Sequence, residues 1–179
     1  MSGDPRGPWK RPRPHTGQAP SPRAADGAPA RGRELRVYGL NAVNAVFARR
    51  PQAIRKVYLT AARMGALKPL LAWCVQHRVG YRVVEEADLA KLAASAHHEG
   101  VVADVLRAPP LALPDWLRAL PAGPALAIWL DGVGNPHNLG AILRSAAHFS
   151  GAGVLLPQDA GLALSGAAAR VAEGGAEAV

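Results

Sequence analysis

"LDGVGNPHNLGAILRSAAHF", Leu130 to Phe149, sets two glycines, a proline, two asparagines and a histidine between an apolar run and an amphipathic one. The run before it, "ALAIWLD" (125–131), is continuously apolar and reads as a buried strand. After it, Leu139, Ile142, Leu143, Ala146 and Phe149 recur at helical spacing, which predicts a helix over 138–149 entered through a loop at 132–137. Strand, glycine-rich loop and helix together make a common cradle for phosphate, because backbone N–H groups converge at the helix N-terminus. Two nucleotide fingerprints can be tested on spacing. G-x-G-x-x-G is met by Gly132 and Gly134 but has His137 in the third place, and no acidic residue follows about 20 residues on. G-x-x-x-x-G-K-[ST] fails because Gly134 and Gly140 are one residue too far apart and Ala141 stands where lysine should be.

Outward from this stretch, strand and helix alternate, which implies an α/β fold. "AGVLLP" (152–157) reads as the next strand, "SGAAARVAEGG" (165–175) as a short helix or turn, and "AEAV" (176–179) as the start of another strand. Towards the N-terminus, the five prolines of 108–124 make a stiff linker with one amphipathic turn near Asp115–Leu120. Before it, a small α/β/α domain is expected over 34–107. Leu35, Val37 and Leu40 open it, Val43, Val46 and Phe47 then recur at helical spacing, and Pro51 ends the run. Strands follow at 54–60, 81–86 and 100–107, with helices at 64–80 and 87–97. The unit from 125 onward has only 55 residues. It is expected to lean on the first domain or to be the first part of a larger one.

Charge is uneven. Residues 1–33 carry seven Lys or Arg against two Asp, whereas the rest carries fourteen against eleven, within a total of +8. The same 33 residues hold seven Pro and five Gly and few apolar side chains, so they read as a disordered basic arm suited to a polyanion. One cysteine, Cys74, excludes an internal disulfide and fits a reducing, cytoplasmic setting. The N-terminus has no apolar signal-peptide core, and no apolar run nears the roughly 18–20 residues of a membrane span.

What the loop and helix do match is D-G-x-x-N-P-x-N-L-G-x-I-x-R-[ST]-A, met by Asp131, Asn135, Pro136, Asn138, Leu139, Gly140, Ile142, Arg144 and Ser145. This resembles the first motif of the SpoU/TrmH family of RNA 2′-O-ribose methyltransferases, in the SPOUT superfamily. "RVAEGGAEAV" is similar to the family's second motif through Arg170, Gly174, Glu177 and Val179. Ala172 stands in place of its small hydroxyl residue and Glu173 is atypical, a form closer to the YfiF-type branch. "VYGLNAVNAVF" and "HHEGVVADV" resemble the opening and closing segments of the family's L30e-like substrate-binding domain.

The resemblance implies domains at 34–107 (L30e-like) and 125–179 (the start of a trefoil-knot methyltransferase domain). It implies S-adenosylmethionine as methyl donor, tRNA or rRNA as partner, and a homodimer for the full-length protein. The donor pocket is expected beyond Val179, with Gly174 and Glu177 the nearest residues of this chain, so the chain as it stands is expected to be inactive. Without that remainder, apolar edges at 125–131 and 152–157 are expected to be exposed. A non-catalytic RNA-binding module is the alternative, and a small α/β interaction domain is the third reading.

Arg144 and Asn138 are the expected catalytic residues. A guanidinium stays protonated in nearly any setting, so Arg144 suits the holding of an RNA phosphate and polarisation of the 2′-OH rather than proton abstraction. Asn138 either caps the helix or contacts RNA. Arg6, Lys10, Arg11, Arg13, Arg31 and Arg33 are the expected RNA contacts of the arm, with Trp9 available to stack on a base. Gly140 inside a helix costs about 1 kcal/mol against Ala, so a close approach is expected there. His137 reads as a loop residue and His97–Glu99 as a turn before a strand. Cys74 and His77 read as helix packing, and Trp73, Trp116 and Trp129 as core. No metal site is expected.

Overall fold

The computed structural model describes residues 34–158 and 160–179, so the expectations for Arg6, Lys10, Arg11, Arg13, Arg31, Arg33 and Trp9 lie outside the described residues. The α/β class holds. The first unit is built on a mixed sheet of four strands, β1 (Glu34–Tyr38), β2 (Ile54–Leu59), β3 (Gly80–Val83) and β4 (Val101–Leu106), in the order β1-β4-β2-β3. β4 runs antiparallel to both its neighbours, and β2 pairs with β3 in parallel. Alternation along β4 divides the sheet's two faces: Val101, Ala103 and Val105 enter the main core, while Val102 joins Tyr38 and Leu89 in a smaller cluster.

β1 was not anticipated. Its five residues run into helix α1 (Leu40–Arg49) with only Gly39 between them, so the helical spacing of Val43 and Val46 hides the two-residue period of Leu35 and Val37. Gly39 makes that corner at φ +95°, a left-handed geometry suited to glycine. Helix α2 (Lys68–Gln76) is shorter than the predicted 64–80. It begins with a proline in its first turn, stops four residues before Gly80, and buries Leu70, Leu71 and Cys74. His77 stacks on Trp73 at 4.7 Å, so the Cys74–His77 pair is packing, as expected. Burial pushes the Cys74 thiol up, which keeps it protonated near neutral pH. Helix α3 (Glu86–Ala93) packs Leu89 on the sheet's other face.

Within the linker, helix α4 (Leu113–Ala119) lays the half-buried Trp116 on the backbone at Gly153, where an added Cβ would lie 2.7 Å from the indole. The second unit pairs β5 (Ala127–Trp129) with β6 (Gly153–Leu155) in parallel through helix α5 (Pro136–His148). β5 is three residues long where seven were expected, and Trp129 is 59% exposed rather than core. Phe149, predicted on the apolar side of the helix, follows its last turn and is 70% exposed. The segment expected to open a further strand forms instead a 3₁₀ turn at Gly175–Glu177. No helix among the described residues is long and apolar enough to cross a membrane.

Helix α6 (Gly166–Ala172) joins the two units. Ala169 enters the main core of the first, whereas Ala168 and Ala172 are buried with Leu130, Leu139 and Leu143 of the second. It lies along β1, an edge strand, and thereby covers an edge that would otherwise be open to other chains. Such contact needs small residues. A Cβ on Gly166 would collide with the Arg36 carbonyl, and one on Gly140 would sit 2.5 Å from the Ala168 carbonyl and 2.7 Å from Val171 Cβ. The close approach expected at Gly140 is therefore backbone against backbone. Gly140→Ala is expected to lower stability by about 1–3 kcal/mol, because overpacking outweighs the roughly 1 kcal/mol gained in helix propensity. Gly134→Ala, where an added Cβ meets nothing within 4 Å, is expected to leave the melting temperature nearly unchanged. Thermal denaturation of the two variants checks both.

Candidate functional site

The loop before α5 is open. Cβ positions built on Gly132 and Gly134 meet nothing within 4 Å, and Gly132 has φ +67°. Asn135 is the cap of α5: its side-chain oxygen accepts from the His137 backbone N–H at 2.8 Å. Pro136 takes the first helical position, where its missing N–H costs no hydrogen bond. The cap reading of Asn138 is therefore overturned. Asn138 lies within the first turn with its side chain exposed.

Arg144 is also exposed, off the buried stripe of Leu139, Gly140, Leu143 and Ala146. The two expected catalytic residues do not share a face. Six residues at about 100° each put them about 120° apart, on opposite flanks of that stripe. His137, seven residues before Arg144, falls within about 20° of it and about 10 Å along the axis. The 3₁₀ turn crosses α5 at this point: a Cβ on Gly175 would lie 2.9 Å from Arg144 Cα.

The two residues expected nearest the methyl donor are committed to the junction between units. Both Glu177 oxygens bind Arg50, Oε2 to Nε at 2.5 Å and Oε1 to Nη2 at 2.7 Å, while Arg50 Nη1 donates to the Leu106 carbonyl at 2.6 Å. The hydrogen bond to Glu177, reinforced by its charge and opposed by burial, holds the Arg50 pKa above its ordinary value. A raised arginine pKa gives stability that is complete below the ordinary value and lost only as pH climbs through the folded one, so this side of the pair does not titrate near neutrality. Gly174 turns at φ +96° with an added Cβ 3.1 Å from Ala45 of α1. Neither residue faces open space.

A second polar bridge was missed in the sequence. Gly39 offers α1 no capping side chain, and Glu99 supplies one from 59 residues away, its Oε2 accepting from Leu40 N–H at 2.8 Å. Its Oε1 binds Arg170 Nη2 of α6, also at 2.8 Å. Arg170 Nε donates in addition to the His97 carbonyl at 3.2 Å. The turn expected at His97–Glu99 is thus present and has a structural task. His98 is buried, its Nδ1 accepting from Gly100 N–H at 3.1 Å and its Nε2 facing Glu86 at 3.6 Å. Asn41 reaches Glu173 at 3.3 Å. Beside this bridge, an open cleft of about 430 Å³ lies between the units, with Tyr38, Ser95 and His97 on one wall and His137, Arg170 and Val171 on the other. Among the described residues no group of three or more His, Cys, Asp or Glu is placed to hold a metal.

Two family models match the chain in tandem: RNA 2′-O ribose methyltransferase substrate binding over 36–111 and SpoU rRNA methylase over 125–179. The chain belongs to the SpoU/TrmH family. Among its relatives, the uncharacterized tRNA/rRNA methyltransferase YfiF of Escherichia coli O157:H7 is 41% identical over 147 residues, which are 82% of this chain and 42% of that one. The 23S rRNA (guanosine-2′-O-)-methyltransferase RlmB of Haemophilus influenzae is 36% identical over 146 residues, 80% of this chain and 59% of that one. The chain thus spans about half the length of the curated relatives it matches. In fold it resembles the SpoU methyltransferase AviRb of Streptomyces viridochromogenes, solved with AdoMet, at TM-score 0.61 and 20% identity over 84% of this chain and 55% of that one. It also resembles an rRNA methyltransferase from Sinorhizobium meliloti, at TM-score 0.63 and 20% identity over 82% and 53%.

Since the side chains of Arg50 and Glu177 are only 19% and 10% exposed, their pair is expected to contribute more than a surface ion pair. A double-mutant cycle with Arg50→Met and Glu177→Gln is expected to give a coupling of about 1.5–3 kcal/mol in urea unfolding. A coupling near zero would mean that the bridge does not hold the junction.

Proposed function

We propose that the protein in its full-length form transfers a methyl group from S-adenosylmethionine to a ribose 2′-OH of tRNA or rRNA. The observation that carries this reading is the open Gly132–Gly134 loop running into a helix that presents the exposed Arg144, within the family's first motif. The donor supplies an electrophilic methyl on a sulfonium. Gly174 and Glu177 do not fit the task of holding it, because the first abuts α1 and the second has both oxygens on Arg50. This chain's own part is to bind and orient the RNA. Arg144 grips the phosphate next to the target ribose with charge-assisted hydrogen bonds and polarises the hydroxyl. Asn138, on the other flank of α5, contacts the strand separately rather than sharing one atom with Arg144. The exposed Leu126, Trp129 and Phe149 around the two-stranded sheet support burial by the rest of the fold and by a second copy, and RNA as substrate supports a cytoplasmic place.

The second reading, an RNA-binding module without catalysis, is favoured by two observations. Ala172, where the family has a hydroxyl, is fully buried, and Glu177 is committed to Arg50. One experiment separates the two. Expressed from its full-length reading frame, the protein is expected to methylate rRNA or tRNA at 2′-O, and Arg144→Ala is expected to slow transfer about 10- to 100-fold. Transfer unchanged in Arg144→Ala while RNA still binds would remove Arg144 from the mechanism. RNA binding with no transfer by the unmodified protein would favour the binding module.

A further inference from the structure

The cleft between the units has a composition that neither packing nor the Arg144 site accounts for. His97 stands on the first unit and His137 on the second, both exposed and both lining the same space. Their backbones are occupied: His97 N–H donates to Ser95 Oγ, the His97 carbonyl accepts from Arg170, and His137 N–H donates to Asn135. Neither imidazole has a hydrogen-bond partner among the described residues, whereas Arg170 and Glu99 beside them do. Glu99 is fully engaged, one oxygen on Leu40 N–H and the other on Arg170, so the carboxylate at this corner is neutralised and does not repel an anion. The guanidinium that neutralises it forms part of the cleft wall beside the apolar Val171 and the largely buried Tyr38 ring.

Two imidazoles, a guanidinium and an apolar wall suit a ligand with a π-face and a phosphate. A volume of about 430 Å³ falls within the usual size of small-molecule clefts, about 300–1,000 Å³. His137 also shares a helix face with Arg144, about 10 Å away along α5, so a strand leaving the cleft passes Arg144 next. We propose that this cleft seats one unpaired nucleotide of the RNA, flanking the target nucleotide, with its base against the imidazoles and its phosphate towards Arg170. Single-stranded RNA is recognised in this way, by splayed bases stacked on flat side chains. The assignment rests on the RNA-directed reading above and adds to it a specificity-determining site made by both units together.

The 179-residue protein is titrated with AMP, GMP, CMP and UMP, and separately with inorganic phosphate, while the imidazole resonances are followed by NMR. His97 and His137 are expected to shift together and saturably with at least one nucleotide, less with phosphate alone, while His77 and His148 stay in place. In parallel, binding of a single-stranded RNA oligonucleotide is measured for the unmodified protein and for a His97→Ala/His137→Ala variant. Both substitutions spare the backbone hydrogen bonds, so the variant is expected to fold and to bind about tenfold more weakly. Absent shifts, shifts shared equally by His77 and His148, or an unweakened double variant would overturn the cleft while leaving the RNA reading intact. Equal shifts with phosphate alone would overturn the nucleotide assignment. Failure of the unmodified protein to bind any RNA would overturn both.

Discussion

Contact between backbones, made possible by missing side chains along one seven-residue helix, holds this structure together. α6 is Gly-Ala-Ala-Ala-Arg-Val-Ala, and three of its alanines are buried in two different cores. Glycines complete the seams around it: Gly166 against β1, Gly140 of α5 against Ala168, and Gly175 against Leu143 and Arg144. Small residues remove little apolar area from water, so tight fit and dispersion do much of the work and leave no room for an added methyl group. At the rim of the same junction, Arg50–Glu177 and Arg170–Glu99 fix which way the units face. Partly buried ion pairs of this kind set geometry more surely than they add stability.

That junction explains how the motif residues divide their work. Within the family's second motif, Gly174 and Glu177 face the first unit and serve the docking of the turn after α6, whereas Arg170 takes part in the docking and also lines the cleft between the units. Within the first motif, Leu139 and Gly140 are buried, whereas Gly132, Gly134, Asn138 and Arg144 remain open to a ligand. One stretch of chain therefore carries both the packing face and the working face, separated by the helix period. The cleft with His97 and His137 lies between the docked units, which ties the proposed nucleotide seat to the α6 contact.

Much of this was legible in the sequence. The stripe of Leu139, Leu143 and Ala146 announced α5, and it left Arg144 off the seam. Gly140 in a helix announced a close approach. Pro136 also marked the start of the helix, and reading it would have assigned the cap to Asn135 instead of Asn138. Other features had no local signal. Arg50–Glu177 and Asn41–Glu173 join residues 127 and 132 positions apart, and no spacing rule reaches that far. β1 was masked because its short alternation runs into a helix across a single glycine. Trp129, expected in the core, and Phe149, expected on the apolar side of α5, are exposed because an apolar pattern defines a face but not the element that covers it.

If α6, buried in both cores, makes one rigid body of the two units, the candidate RNA surface between them persists only while they stay docked. Backbone amide relaxation by NMR tests this directly, through the rotational correlation times of α1 in the first unit and α5 in the second. One common correlation time is expected for both helices, longer than either unit would show alone. Two distinct and shorter correlation times would contradict it, because the units would then reorient independently and the cleft between them would not persist.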